Sequence, residues 1–279
     1  MMDEWLPLGT RQLDVADLHE GVPAWMATRF WTWLDRSFDS LSREKGHKVV
    51  MAEYDERRRM REPLAPECGA YHLSNVLQRR GDDNLTWSVT DFVVARAGEL
   101  GYSHWLDDLE GILEQSGSAW RIGTRSGAAG VERRVASGVG EAANVVMGRT
   151  GSAGELLSAA WQATFGIHPD PEKAYSKAIK AVEEAAKPRV SPKDSVATLG
   201  KMVSAMRDQK DWALPLQDDE TNPSSDTVVK MMRSLHSGQQ QRHGGNGDRA
   251  ATQEEAEAAL FLAVPLVQFF HGGLVARRS

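Results

Sequence analysis

A chain of 279 residues that is 41% hydrophobic and 26% charged can bury one large core or two ordinary ones, and its composition is that of a soluble globular protein. A net charge of -6 and a pI near 5.8 exclude a protein that is basic all over, so any contact with nucleic acid requires a local basic patch. The single cysteine, Cys68, excludes an intramolecular disulfide and a thiolate zinc cluster and suits a reducing cytosol.

The opening MMDEWLPLGT is acidic and has no apolar h-region, which predicts a cytoplasmic protein rather than a secreted one. Over 23–41, Met26, Phe30, Trp33, Leu34, Phe38 and Leu41 follow helical spacing, with Arg29, Asp35 and Arg36 on the other side; an aromatic stripe of this kind reads as core. The run YDERRRMRE at 54–62 mixes both signs and reads as a solvated helix face. Pro63 and Pro66 then break the chain. Helices are expected over 90–100 and 106–113, the second stopped by Gly117.

Between 118 and 135 the texture changes to AWRIGTRSGAAGVERRV, two alternating segments around a Gly-rich loop, which is a short hairpin. A domain junction belongs here, giving an N-terminal helical domain over 1–117 and a second domain over 118–279. The glycines from Gly138 to Gly154 do not form a phosphate-cradling loop, because no strand precedes them and no Gly-Lys-Ser/Thr follows. A helix over 155–165 is followed by one opening at Asp170-Pro171-Glu172, an N-cap with proline at the first helical position and an acid in the first turn, and ended by Pro188. A short helix spans 198–206, and 218–225 reads as a loop.

The stretch 226–270 concentrates basic and titratable groups. Val228, Val229, Met232 and Leu235 form a buried stripe, and Arg233 and His236, three apart, are neighbours on one side of that helix. Gly238 and the following Gln tract predict the helix end, which puts Arg242 and His243 in a connecting loop. Thr252 and Glu255 have capping-box spacing and open a last helix that closes at His271-Gly272-Gly273. Its apolar run at 258–267 carries Pro265 and is too short to span a bilayer, so no membrane contact is expected; it reads as a buried, kinked helix. A metal site from His236, His243 and Asp248 matches no established ligand spacing, and neither a metal nor another cofactor is expected.

The blocks AWRIGTRSGAAGVERRV, AYSKAIKAVEEAAKP, ATLGKM and RHGG before TQEEAEAALFLAVPLVQFF, in this order, resemble the abortive-infection-protein-like C-terminal domain, a group similar to the HEPN superfamily. The resemblance covers about 118–278. It implies an all-α fold: a HEPN-like helical bundle as C-terminal domain, with a short β-hairpin at the junction and a smaller, mainly helical N-terminal domain. It also implies a homodimer that cleaves RNA without a metal, as a toxin or in antiphage defence.

The superfamily motif pairs an Arg with a His across a short spacer. His243 matches the motif His. Nine residues separate it from Arg233, more than the motif allows, and His236 stands near where the motif Arg would fall. The residues expected to carry the chemistry are His243 as acid/base, Arg242 or Arg233 as phosphate clamp, and His236 as second proton carrier. Imidazole titrates near neutral pH, and guanidinium offers fixed donors to phosphate oxygens. The expected partners are RNA, a second copy of the chain, and a protein partner or trigger engaging 1–117. The alternative is a catalytically inactive helical module that binds RNA, a nucleotide or a protein.

Overall fold

A computed structural model describes residues 18–125, 127–216, 223–243 and 249–277. The fold is mainly helical. Eleven helices and two antiparallel strand pairs lie among the described residues, and the chain divides into two compact units after Ala136.

The first unit contains α1 (Ala24–Leu41), α2 (His47–Arg58), α3 (Leu73–Arg80), α4 (Asp83–Glu99), α5 (Ser103–Ser116) and the hairpin β1 (Trp120–Arg125) with β2 (Ala128–Arg133). The aromatic stripe of α1 is core, as its spacing predicts: Met26, Phe30, Trp33, Leu34 and Phe38 are all buried. Trp87 of α4 lies beside Phe30 and Trp120, and the indoles of Trp87 and Trp120 both donate to the Glu20 carbonyl, at 2.7 and 2.8 Å. Two ring edges satisfied by one oxygen fix the segment before α1 on the core.

The hairpin forms where the alternation predicts, but it packs in the first unit rather than the second. Ile122 and Val131 face each other across the ladder. The amide of Ile122 donates to Glu110 of α5 at 2.6 Å, and that of Val131 to Asp91 of α4 at 2.8 Å. Helix carboxylates thus satisfy groups that a two-stranded sheet leaves open on its edges.

The charged run is only partly a solvated face. Arg57 is exposed and pairs with Glu53, whereas Tyr54 and Asp55 point inward, and Asp55 accepts the amides of Leu64 and Ala65 at 3.0 and 2.8 Å. Asp55, Glu67 and, above all, burial push the Cys68 thiol up to about 12. A thiol raised above its usual range holds its proton longer in the folded state. Its contribution is intact below the unfolded pKa near 9 and is lost as pH climbs toward 12. Cys68 is therefore expected to resist a disulfide reagent at pH 8 until denaturant is added, and Cys68→Ser to flatten the loss of stability between pH 9 and 11, read by urea unfolding.

The second unit contains α6 (Ser137–Arg149), α7 (Gly151–Phe165), α8 (Pro171–Val190), α9 (Leu199–Gln209), α10 (Ser224–His243) and α11 (Gln253–His271), with the strand pair β3 (Trp212–Ala213) and β4 (Ala276–Arg277). Helix α8 is its spine and packs most heavily on α7 and α11. Buried Ala174, Ala178, Ala181 and Ala186 keep its surface low enough for close approach. Asp170 caps its start by accepting the Lys173 amide, and the Thr252–Glu255 capping box is formed in both directions at the start of α11. Among the described residues no helix is long and apolar enough to cross a membrane.

Two helix ends differ from the sequence reading. Pro188 does not stop α8, which runs on to Val190; Arg189 donates to the Phe270 carbonyl at 2.8 Å and holds this last turn on α11. Gly238 does not stop α10, which continues to His243. Here glycine serves close packing. The Tyr175 hydroxyl donates to the Leu235 carbonyl at 3.0 Å in a buried contact, and a Cβ on Gly238 would overlap that hydroxyl. Gly238→Ala is expected to destabilise the chain by about 1–3 kcal/mol through overpacking. Tyr175→Phe in the same background should recover part of the loss, measured as non-additivity in urea unfolding.

Candidate functional site

Helices α9 and α10 bound an open groove of about 710 Å³ within the second unit. Each wall follows from a simple pattern. On α9, Leu199, Met202, Val203 and Met206 are buried, and Lys201, Ser204 and Arg207, at intervals of three, line the groove. On α10, Val228, Met232 and Leu235 are buried, and Val229, Arg233, His236 and Ser237 line it from the other side.

The cations differ in how far they are committed. Lys201 pairs with Asp194 at 3.3 Å and Arg207 with Asp208 at 3.2 Å, both through well-exposed side chains. Such surface pairs contribute only about 0–1 kcal/mol and exchange readily for a stronger anion. Arg233 is exposed and, among the described residues, has no carboxylate partner. His236 is half-buried, with its imidazole packed over Gly200 in the first turn of α9; a Cβ there would stand 2.6 Å from Nε2 and 2.8 Å from Cε1. Thr198 is the N-cap of that helix, so the ring lies beside the end whose amides favour negative charge. Three cations, an imidazole and three hydroxyls lining one groove can hold phosphate oxygens and move a proton beside them.

Of the residues singled out from the sequence, the fold brings Arg233 and His236 together in this groove. His236 lies well inside α10, which runs seven residues further. Arg242 and His243 were expected in a loop; their backbone belongs instead to the final turn of α10, and their side chains lie outside the described residues, as does Asp248. Among the described residues no three His, Cys, Asp or Glu side chains gather to hold a metal. Lys201 and Arg207 were missed, although their spacing opposite an apolar stripe carried the signal.

No protein-family model, curated protein or solved structure matches this chain. The site therefore rests on its own geometry. Gly200→Ala is expected to displace the imidazole. The His236 Cε1–H resonance should move in a histidine-resolved NMR spectrum while the resonances of His19, His47 and His104 in the first unit stay in place.

Proposed function

We propose that the second unit binds RNA through its backbone phosphates in the α9–α10 groove and cleaves it without a metal, as a homodimeric cytoplasmic endoribonuclease of the abortive-infection type. The observation that carries the reading is the convergence of Lys201, Arg207, Arg233 and His236 on one groove in a chain whose net charge is -6. A global field would not draw RNA to this protein; a local cationic groove does.

In the proposed reaction one imidazole takes the proton of a 2′-hydroxyl. The freed oxygen attacks the adjacent phosphorus, the bond to the 5′-oxygen breaks, and a second group returns a proton to that leaving oxygen. The products are a 2′,3′-cyclic phosphate and a 5′-hydroxyl. Arg233, with Arg207 and Lys201, neutralises the charge that builds on the phosphorane oxygens. His236 fills one proton role. The other falls to His243, whose backbone lies two turns along the same helix, or to the second His236 of a two-fold dimer. A protein trigger acting through 1–117 completes the reading.

One observation favours the second reading, a helical module that binds RNA without cutting it: the groove holds one described imidazole, and Arg233 stands three residues before it rather than in the family's motif spacing. Total RNA and tRNA incubated with the chain in EDTA separate the two. The nuclease reading expects cyclic-phosphate ends. His236→Ala should slow cleavage by about 10²-fold or more, and Arg233→Ala should lower both the rate and the salt dependence of binding, the latter by about one phosphate contact. RNA bound but uncut by the wild-type dimer establishes the binding module instead; RNA neither bound nor cut removes both.

A further inference from the structure

Two open cavities adjoin on the first unit, one of about 420 Å³ between α1 and α5 and one of about 530 Å³, with His104 and Trp105 lining both. Arg29 and Arg36, two helical turns apart on α1, line the first, and Arg43, seven residues further and just past the C-cap Ser42, lines the second. All three are exposed. Arg29 donates to the neutral Gln115 amide at 2.6 Å, and among the described residues no carboxylate pairs with any of the three. Arg96, which also lines the second cavity, is by contrast occupied by Glu53 and Glu99.

The aromatic part of the track is preorganised. The half-exposed Trp105 ring stacks on Tyr102 with centroids 4.3 Å apart and planes at 31°, and Trp33 donates its indole N–H to the Trp105 carbonyl at 2.8 Å, fixing that turn of α5. Ser37, only 2% exposed, lines the first cavity between these groups.

We propose that this track binds a single strand of nucleic acid, with backbone phosphates on Arg29, Arg36 and Arg43 and an unpaired base against Trp105. Two cations about 10 Å apart along α1, with a third just beyond its end, suit a chain of phosphates better than one mononucleotide. An indole bordering two shallow cavities is reached by a splayed base and not by a stacked pair. The inference stands apart from the α9–α10 reading, since none of its residues belongs to that groove.

The test uses the full chain carrying Arg207→Ala and Arg233→Ala, so that the second unit's groove is weakened, with EDTA present. Fluorescence anisotropy follows labelled oligouridine and oligothymidine of roughly ten nucleotides, a duplex RNA, and uridine monophosphate as competitor. Single strands are expected to bind. Adding Arg36→Ala and Arg43→Ala should weaken them by at least about tenfold and lower the salt slope by about 1.4, the loss of two phosphate contacts on a single strand, while Trp105→Ala weakens binding by about tenfold and Trp105→Phe, which keeps a stacking face, largely restores it. Equal affinity for the two strands assigns the site to the shared phosphodiester chain, and preference for oligouridine adds readout of the 2′-hydroxyl. No single-strand binding in the parent variant, binding indifferent to the α1 arginines, or duplex or monophosphate bound as tightly as a single strand would overturn the proposal. Cleavage by the unmutated chain, scored separately, reports on the other groove.

Discussion

The buried hydrogen bond from Tyr175 to the Leu235 carbonyl, made against the bare backbone of Gly238, is the constraint on which the second unit's groove depends. It brings α10 against α8 at a point where any side chain would hold the two apart. Eight residues along α8 from Tyr175, Glu183 accepts the Leu199 amide at 2.7 Å and so holds the first turn of α9. Both walls of the groove are thus anchored to one rigid helix, at points about 12 Å apart along its axis. The opposition of Lys201, Ser204 and Arg207 to Arg233 and His236 follows from that shared anchor.

Which cations are available is decided by burial more than by number. Arg121 makes two hydrogen bonds to Glu132, a carboxylate only 2% exposed, and neither group can leave without stranding the other. Arg249 is exposed and is committed by geometry instead, through two hydrogen bonds to Glu255, which also closes the capping box of α11 and raises the Arg249 pKa. Lys201 and Arg207 sit in exposed pairs that water and salt already weaken, and Arg233 has no carboxylate partner among the described residues.

Elements specified by local chemistry were legible from the sequence. The stripe of α1, the Asp170-Pro171 start of α8 and the Thr252–Glu255 box of α11 each satisfy their own orphan groups or define their own buried face. Helix ends that depend on a distant partner were not. Pro188 and Gly238 are both stop signals in sequence, and both are overridden by tertiary contacts, Arg189 to Phe270 and Tyr175 to Leu235. The hairpin was legible as a hairpin but not as part of the first unit, because Asp91 and Glu110 hold it there through backbone amides that no sequence pattern marks. For the site, the three-residue spacing of Arg233 and His236 was enough to pair them, whereas Lys201 and Arg207 lie on a helix whose partner only the fold supplies.

The grooves of the two units share a construction and differ in what they can do. In each, two amphipathic helices bury an apolar seam and leave a cationic stripe at its margin. Along α1 and α5 the margin carries a stacked indole, which rewards any base with a π-face and contributes affinity without regard to the state of the phosphate. Along α9 and α10 it carries an imidazole wedged over Gly200 beside a guanidinium with no carboxylate partner among the described residues, groups whose interaction with a phosphate would grow as negative charge develops on phosphorus. Stabilisation that grows along the reaction can accelerate it, and stabilisation equal in substrate and transition state cannot. On that ground the proposed bond breaking is assigned to the second groove and not to the first.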